Sequence, residues 1–556
     1  MTLHWLVKGG KMSHEQPSST FVRTAGRFIL IVLTLLTTLT VGQSLLSSWQ
    51  QPQFQSRLEL YQTNLALQAV SLEASDSDSA NLKPLEDAIL GTKPLDAATQ
   101  QYQEARKSAQ SNLEKIKTQL AQLQSQPETA PATSQPQSQY PPATNPTSEQ
   151  QQLLQQSLKQ VQKLITELDL RLGILQAQQG KTDAAFKTWN EMQQSLGSDS
   201  EFGKVAAVLA GLWSDPPRLL PDSEPLIQPN LDGWFKYIAL EKLYQLQQRQ
   251  DALTNLKASQ QEVAETAMLR LSLIGTVPVI ASLIGVGLLL FLLAERFFKG
   301  KAAILAQNGD VTWLTPWDAE TILVVFVVGF FFTGQFLVPV AIKAFLVPLV
   351  KSVLPIKTLA SSVRIQALSV FISYLFVALG ALSVLYLAIK RFFPLSNDWF
   401  RVRFKENWFL WGFGGYCVAL PVVVVVSLIN QQLWKGQGGS NPLLQLVLES
   451  QDSVALTIFF STAAIAAPIF EEILFRGFLL PSLTRYLPVW GSILISSFLF
   501  AAAHLSLAEI FPLFSLGIVL GVVYTRSRNL LAPMLLHSLW NSGTLLSLFI
   551  LGSPGQ

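Results

Sequence analysis

The sequence predicts an all-α protein: a polytopic bundle of about eight C-terminal transmembrane helices, one N-terminal anchor and a soluble helical module. Charged residues make up 14% of the chain, against about 25% in soluble domains, and the mean hydropathy is +0.32. Polar, Gln-rich sequence is concentrated in residues 48–268, and apolar runs dominate from residue 269 onward. Because only helices and closed barrels satisfy their backbone polar groups in lipid, these long apolar runs are predicted to be helices.

Composition also excludes several function classes. A net charge of +3, without a basic stripe that carries interleaved aromatics, argues against a nucleic-acid partner. The only cysteine, Cys417, lies in an apolar run, so disulfides within the chain and CxxC-type zinc sites are excluded. The expected partners are the lipid bilayer and a protein that binds the helical module.

The N-terminus is interpreted as a cytoplasmic tail (1–27) followed by a signal anchor (28–47). Residues 28–41 are apolar, and Arg23 and Arg27 precede them. These cations fix the N-terminus in the cytoplasm. A cleaved signal peptide is the alternative, but no clear small-x-small cleavage site follows.

The polar module is predicted to begin with a helical, coiled-coil-like region (48–125). Within it, apolar residues recur at spacings of three and four, as in an amphipathic helix or a short coiled coil: Leu113, Ile116, Leu120 and Leu123. Residues 126–149 are rich in Pro, Ser, Thr and Gln, and are predicted to form a flexible linker because they carry too few large aliphatics to fold.

A second helical region (150–268) contains a possible repeat. Residues 170–189 resemble a tetratricopeptide-type helix–turn–helix, with Gly180 at the turn and Ala184 opening the second helix. A related segment lies 68 residues later, where Leu243, Asp251 and Ala252 match Leu175, Asp183 and Ala184. That offset is twice the period of about 34 residues in such repeats. An irregular helical bundle is an equally good interpretation.

Apolar spans are predicted in residues 269–450 and again in 451–552. Most approach the ~20 residues that cross a bilayer, and two or three are short enough to be tilted or re-entrant: 271–294, 319–341, 367–389, 408–429, 454–472, 490–506, 510–525 and 530–550. With the cytoplasmic N-terminus, basic clusters near residues 296–301, 390–405 and 526–528 lie inside, as the positive-inside rule expects. Residues 343–364 carry four cations that this topology places outside, so this segment is expected to lie along the interface instead.

Ionisable residues inside apolar spans are costly and usually functional. Here they concentrate in the last four spans: Glu471, Glu472, Arg476, His504 and His537. Glu472 and Arg476 share a helix face and are expected to pair, while Glu471 is rotated by about 100 degrees. Each feature alone has a purely structural explanation: a solvated helix end for the glutamates, or a helix–helix hydrogen bond for a histidine. Three such features within about seventy residues favour a catalytic site.

These residues form three ordered motifs. EEILFR (471–476) matches EExxxR, FAAAH (500–504) matches FxxxH, and HSLWN (537–541) matches HxxxN/D. Residues 451–552 therefore resemble the CPBP family (CAAX protease and bacteriocin-processing, or Abi), which includes the Ras-converting type of CAAX prenyl endopeptidase. No motif position departs from the pattern.

The resemblance implies hydrolysis of a peptide or protein substrate inside a membrane, with Glu471, Glu472, His504, His537 and Asn541 as catalytic residues. Glu471 would take a proton from water, and His504 would help to orient or deprotonate that water. His537 and Asn541 would donate hydrogen bonds to the oxyanion. Arg476 and Phe500 would support the site, with Arg476 holding Glu472.

A metal cofactor is left open. Glu471, His504 and His537 are a plausible ligand set for a divalent metal such as zinc, with one position free for water. The family has been interpreted both as metalloprotease and as glutamate protease, HExxH is absent, and metal-free catalysis is slightly favoured.

Two non-enzymatic interpretations remain: a membrane scaffold or bacteriocin-immunity factor that recruits partners through the helical module, and a transporter. No paired, Gly/Pro-interrupted halves support the transporter. The expected location is a bacterial plasma membrane, or a thylakoid in a photosynthetic cell.

Overall fold

The structure is a computed structural model, and it describes residues 17–49, 55–71, 89–125, 146–197, 199–346, 348, 363–434, 437–449 and 452–552. All the regular elements in these ranges are helices, which confirms the predicted fold class. In chain order the helices are α1 Pro17–Ser48, α2 Gln55–Val70, α3 Pro94–Ser125, α4 Pro146–Gln178, α5 Thr182–Leu196, α6 Glu201–Trp213, α7 Ser223–Asn230, α8 Gly233–Leu246, α9 Gln250–Lys299, α10 Ala319–Phe345, α11 Val363–Ile389, α12 Trp408–Trp434, α13 Pro442–Glu449, α14 Ser453–Leu483, α15 Val489–Ala502, α16 Ile510–Ser527 and α17 Leu531–Gly552.

Within the described ranges, eight helices are long and apolar enough to cross a membrane: α1, α9, α10, α11, α12, α14, α16 and α17. The one predicted span that is not among these eight helices, 490–506, corresponds to α15, which has 14 residues. A helix of that length covers about 21 Å, which is less than the ~30 Å of a hydrocarbon core. Helix α15 is therefore one of the short spans that the sequence analysis predicted.

The predicted end of the span 454–472 is wrong, because α14 continues to Leu483. Glu472 and Arg476 do not mark a solvated helix end. Both side chains are buried in the middle of α14, where they pair with each other at 2.8 Å. A charged pair that neutralises itself inside the bundle does not have to terminate the helix.

Contacts divide the chain into two compact units. The first comprises residues 1–50, 284–430 and 452–544, and the second comprises 51–283, 431–451 and 545–556. The second unit has a core of its own, with Trp189, Phe235 and Leu243 among its buried residues.

The second unit contains two helix–turn–helix segments at the predicted offset. Helix α4 ends at Gln178 and α5 begins at Thr182, with Gly180 between them at φ 76°. Sixty-eight residues later α8 ends at Leu246 and α9 begins at Gln250, with Gln248 at φ 58°. The two turns correspond position for position, while the tetratricopeptide and coiled-coil assignments stay predictions. Residues 126–145 of the predicted linker lie outside the described residues, and 146–149 are helical rather than linker.

In the first unit, helix α10 packs against both α1 and α11, and α11 packs against the first turns of α14. Helices α15 and α16 form a close pair, and a Cβ at Gly517 would lie 2.8 Å from the Cβ of Ser497. Helices α12, α16 and α17 share a second apolar core that includes Ala419, Leu520 and Leu536. These contacts fix α14 among α11, α15 and α16.

Loops that the sequence places on the cytoplasmic side meet at one end of the first unit. Arg526 Nε donates to the Leu305 carbonyl at 2.6 Å, and a guanidinium nitrogen of Arg528 donates to the Val311 carbonyl. The Leu530 amide donates to the Arg401 carbonyl at 2.9 Å. The loops that precede α10, α12 and α17 therefore share one end, as the predicted topology requires. Most of the segment 343–364 lies outside the described residues.

Candidate active site

The two adjacent glutamates lie on α14, where regular and widened helical turns alternate. Residues Ala467–Glu472 are α-helical, and the segments Ser461–Ala466 and Ile473–Leu479 on either side follow the i→i+5 pattern of a π-helix. Such widened turns are rare, and they occur frequently at functional sites.

Glu472 belongs to a fully buried charge cluster. Arg476 donates to Glu472 Oε1 at 2.8 Å and to the Gly517 carbonyl of α16 at 3.3 Å. The Arg476 guanidinium also lies 4.5 Å from the centroid of the Phe500 ring, in cation–π geometry. A carboxylate, a backbone carbonyl and an aromatic face together compensate the desolvated cation.

His537 of α17 contacts both glutamates. Its Nδ1 lies 2.9 Å from Glu472 Oε1, and its Nε2 lies 4.0 Å from Glu471 Oε2. Because a carboxylate only accepts hydrogen bonds, Nδ1 is assigned the proton; in the neutral form of the ring, Nε2 then carries the lone pair. Glu472 thus orients the imidazole as a buried carboxylate orients the histidine of a hydrolytic triad.

Phe500 joins this cluster to His504. Its ring centroid lies 5.0 Å from the His504 ring and 5.7 Å from the His537 ring. The two imidazole centroids are therefore no further apart than the sum of these distances, about 10.7 Å. His504 follows the last turn of α15, and its Nδ1 lies 2.9 Å from the Phe500 carbonyl, one of the carbonyls left unpaired at a helix end.

Asn541 contacts a different part of α14 from His537. The Asn541 amide donates to the Ala463 carbonyl at 2.7 Å, and the Ser538 hydroxyl donates to the Ala464 carbonyl at 2.6 Å. The cause is Pro468, which has no N–H to offer the carbonyls four and five residues before it. Side chains of α17 supply the missing donors, as they often do in membrane helices. The amide nitrogen carries two hydrogens, so one donor of Asn541 remains after this bond.

Two residues of the site escaped the sequence analysis. Tyr374 of α11 donates from its hydroxyl to Glu471 Oε1 at 3.0 Å, and Ser538 caps Ala464 as described. The proline inside an otherwise continuous helical pattern was a signal for Ser538, since a freed carbonyl needs a donor. Nothing local pointed to Tyr374, which precedes Glu471 by 97 residues.

The cluster contains two acceptor atoms that could bind a water molecule. Glu471 Oε2 is buried and has no hydrogen-bond partner in the described structure. It faces Nε2 of His537, whose other nitrogen is committed to Glu472. Two acceptors 4.0 Å apart are spaced so that one water molecule can donate a hydrogen to each.

Glu471, His504 and His537 are the possible zinc ligands that the sequence predicts. Among the residues that the structure describes, no three His, Cys, Asp or Glu side chains lie close enough together to hold a metal ion. In this arrangement Glu471, His504 and His537 do not form the three-ligand set that zinc needs, and the use of a metal stays a prediction.

Comparison with known proteins shows which family the C-terminal sequence resembles. Residues 453–543 match the family described as type II CAAX prenyl endopeptidase Rce1-like. The membrane-embedded CAAX protease MroQ of Staphylococcus aureus (strain USA300) is 23% identical over 188 residues, which are 33% of this chain and 74% of that protein. YdiL of Bacillus subtilis (strain 168), named as a presumed membrane peptidase, is 27% identical over 133 residues, 24% of this chain and 53% of YdiL.

A third relative, an uncharacterised 24.3 kDa protein of Escherichia coli, is 43% identical over 97 residues, 16% of this chain and 42% of its own length. The match thus spans about half the length of the second and third relatives. No solved structure matches the chain.

The matched region contains all three motifs, and it extends from the start of α14 to the middle of α17. The helix content and the relatives agree on a multi-pass integral membrane protein and support a membrane endopeptidase. The C-terminal part of the chain, residues 453–543, is therefore similar to the Rce1-like CAAX prenyl endopeptidases.

Proposed function

We propose that the protein is an intramembrane endopeptidase that hydrolyses peptide bonds of membrane-associated or lipidated proteins with water activated by Glu471. The observation that carries this proposal is the buried, unpartnered Glu471 Oε2, which lies 4.0 Å from Nε2 of an imidazole held by Glu472. A carboxylate with a free oxygen and a neutral imidazole are the residue types that general-base hydrolysis needs.

The reaction begins with a water molecule between Glu471 Oε2 and His537 Nε2. Glu471 removes a proton from the water as the water oxygen bonds to the scissile carbonyl carbon. The π electrons of the carbonyl move to the carbonyl oxygen, which becomes the oxyanion. When the intermediate collapses, the C–N bond breaks and Glu471 returns the proton to the leaving amine. Glu471 is thus base and then acid, and water is consumed without a covalent acyl-enzyme intermediate.

The roles of the other residues follow from their contacts. Glu472 and Arg476 keep the His537 ring in one tautomer and one orientation, as second-layer carboxylates do for reactive histidines. The neutral His537 ring accepts at Nε2, so it would donate to the oxyanion only after gaining a second proton. The remaining N–H of Asn541 is a further donor candidate for the oxyanion, and the water-orienting role of His504 rests on the family resemblance.

The substrate class is taken from the relatives. MroQ is named as a CAAX protease, and the Rce1-like description refers to prenyl endopeptidases. A protein that is anchored near the bilayer, with or without a prenyl group, fits an active site built from membrane helices. The second unit, with its own core, is proposed to recruit a protein partner or substrate. The proposed location is a bacterial plasma membrane, or a thylakoid in a photosynthetic cell.

The experiment compares membrane peptides between cells that express the wild type and cells that express Glu471→Gln at equal level. Quantitative mass spectrometry of protein termini should find at least one membrane protein that accumulates uncleaved in the variant. Identical termini in both cells, together with full function of the variant in vivo, would favour the scaffold or immunity interpretation.

A further inference from the structure

Tyr374 lies outside the residues that the family match covers, yet it contacts the proposed base directly. It belongs to α11, and its hydroxyl donates to Glu471 Oε1 at 3.0 Å. The ring packs edge-to-face against Phe470, the neighbour of Glu471, with centroids 5.9 Å apart. Because α11 packs along the first turns of α14, both the ring and the hydroxyl are held in place.

This hydrogen bond decides which carboxylate oxygen is free. The terminal torsion of a glutamate is broad and roughly two-fold, so an unrestrained carboxylate rotates between equivalent orientations. The bond from Tyr374 fixes Oε1 and leaves Oε2 as the buried oxygen without a partner. Oε2 is also the oxygen that faces His537 Nε2.

We propose that Tyr374 is a positioning residue of the hydrolytic site, whose hydroxyl holds the Glu471 carboxylate so that Oε2 faces the reacting water. This inference rests on the proposed function, since it assigns Tyr374 to the water activation by Glu471. It also extends the working site to α11, beyond the 453–543 region that the family match covers. The motifs of that region alone then do not define the whole site.

The test is Tyr374→Phe, which keeps the ring contact with Phe470 and removes only the hydroxyl. The matched control is Tyr386→Phe on the same helix, whose side chain is exposed and lies three turns away. The assay measures kcat and KM on a quenched fluorogenic peptide that carries the cleavage site found in the terminal-peptide comparison. Thermal unfolding in detergent is recorded for each variant.

Tyr374→Phe is expected to lower kcat by about 10–100-fold, by analogy with the loss of a hydrogen bond that orients a metal ligand. KM should stay within about twofold, because the ground-state contacts of the substrate are unchanged. Tyr386→Phe should match the wild type. In a Glu471→Gln background, Tyr374→Phe should cause no further loss, because the carboxylate that it positions is already gone.

A wild-type kcat in folded Tyr374→Phe would overturn the inference, as would a fall in thermal stability that accounts for the whole loss of rate. If Tyr374→Phe does not fold, 3-fluorotyrosine at position 374 keeps the ring and the hydroxyl while altering the strength of the hydrogen bond. An unchanged kcat would then refute the role. Failure of the proposed function itself is distinguishable, because Glu471→Gln would then retain wild-type cleavage.

Discussion

Arg476→Ala probes the buried charge cluster that holds the site together. The substitution removes three interactions of the guanidinium: the hydrogen bond to Glu472 at 2.8 Å, the hydrogen bond to the Gly517 carbonyl at 3.3 Å, and the cation–π contact with the Phe500 ring. Glu472 is then a fully buried carboxylate whose remaining described partner is His537. Breaking one side of a buried ion pair costs about 3–5 kcal/mol, because the other charge is left uncompensated.

The free energy of unfolding should fall by this amount, and the midpoint of thermal unfolding in detergent should fall with it. Cleavage should fall as well, because a Glu472 that has lost Arg476 no longer holds His537 in one orientation. The double variant Arg476→Met with Glu472→Gln removes both charges, and its stability should lie above that of Arg476→Ala. If Arg476→Ala unfolds at the wild-type temperature, the Glu472 carboxylate is solvated and the reasoning from burial is refuted.

Three further predictions concern helix packing, topology and metal dependence. Ser538→Ala should lower the free energy of unfolding by about 1–3 kcal/mol, since the Ala464 carbonyl loses its donor; unchanged unfolding would mean that water replaces it. Lys187→Cys and Lys405→Cys, each in a Cys417→Ala background, report the topology through an impermeant thiol reagent applied to intact cells. Lys187→Cys should be labelled and Lys405→Cys should be protected; equal labelling would contradict the topology. Dialysis against a strong chelator should leave cleavage intact, and a loss that zinc reverses would contradict the metal-free mechanism.

Much of the first unit could be predicted because hydropathy and helical spacing are local signals. The four-residue spacing of Glu472 and Arg476 predicted their ion pair, and the rotation of Glu471 predicted that it contacts something else. The 68-residue offset in the second unit also reappears as two equivalent turns, at Gly180 and Gln248. In each case the residues involved are close in sequence or related by a repeat.

The contacts that could not be predicted depend on which helices become neighbours. Tyr374 meets Glu471 only because α11 packs on α14, and an apolar span that contains two tyrosines, Tyr374 and Tyr386, does not indicate which of them has a partner. Asn541 was expected to donate to the oxyanion together with His537, yet one of its N–H groups bonds the Ala463 carbonyl that Pro468 leaves free. The length of α14 was underestimated because Glu472 and Arg476 neutralise each other within that helix.

The central claim is that Glu471 is the base of a peptide hydrolysis. The most direct measurement is the cleavage rate of purified Glu471→Gln on the fluorogenic peptide, with its thermal unfolding recorded alongside. Gln is nearly isosteric and can still accept the hydrogen bond from Tyr374, but it cannot take the proton from water. Glu320→Gln, which removes an exposed carboxylate from α10, is the matched control.

The account predicts that Glu471→Gln lowers the rate by about 10²–10⁴-fold, the usual contribution of a general base, while its unfolding temperature stays near that of the wild type and Glu320→Gln keeps full activity. A folded Glu471→Gln protein that cleaves at the wild-type rate would contradict the account.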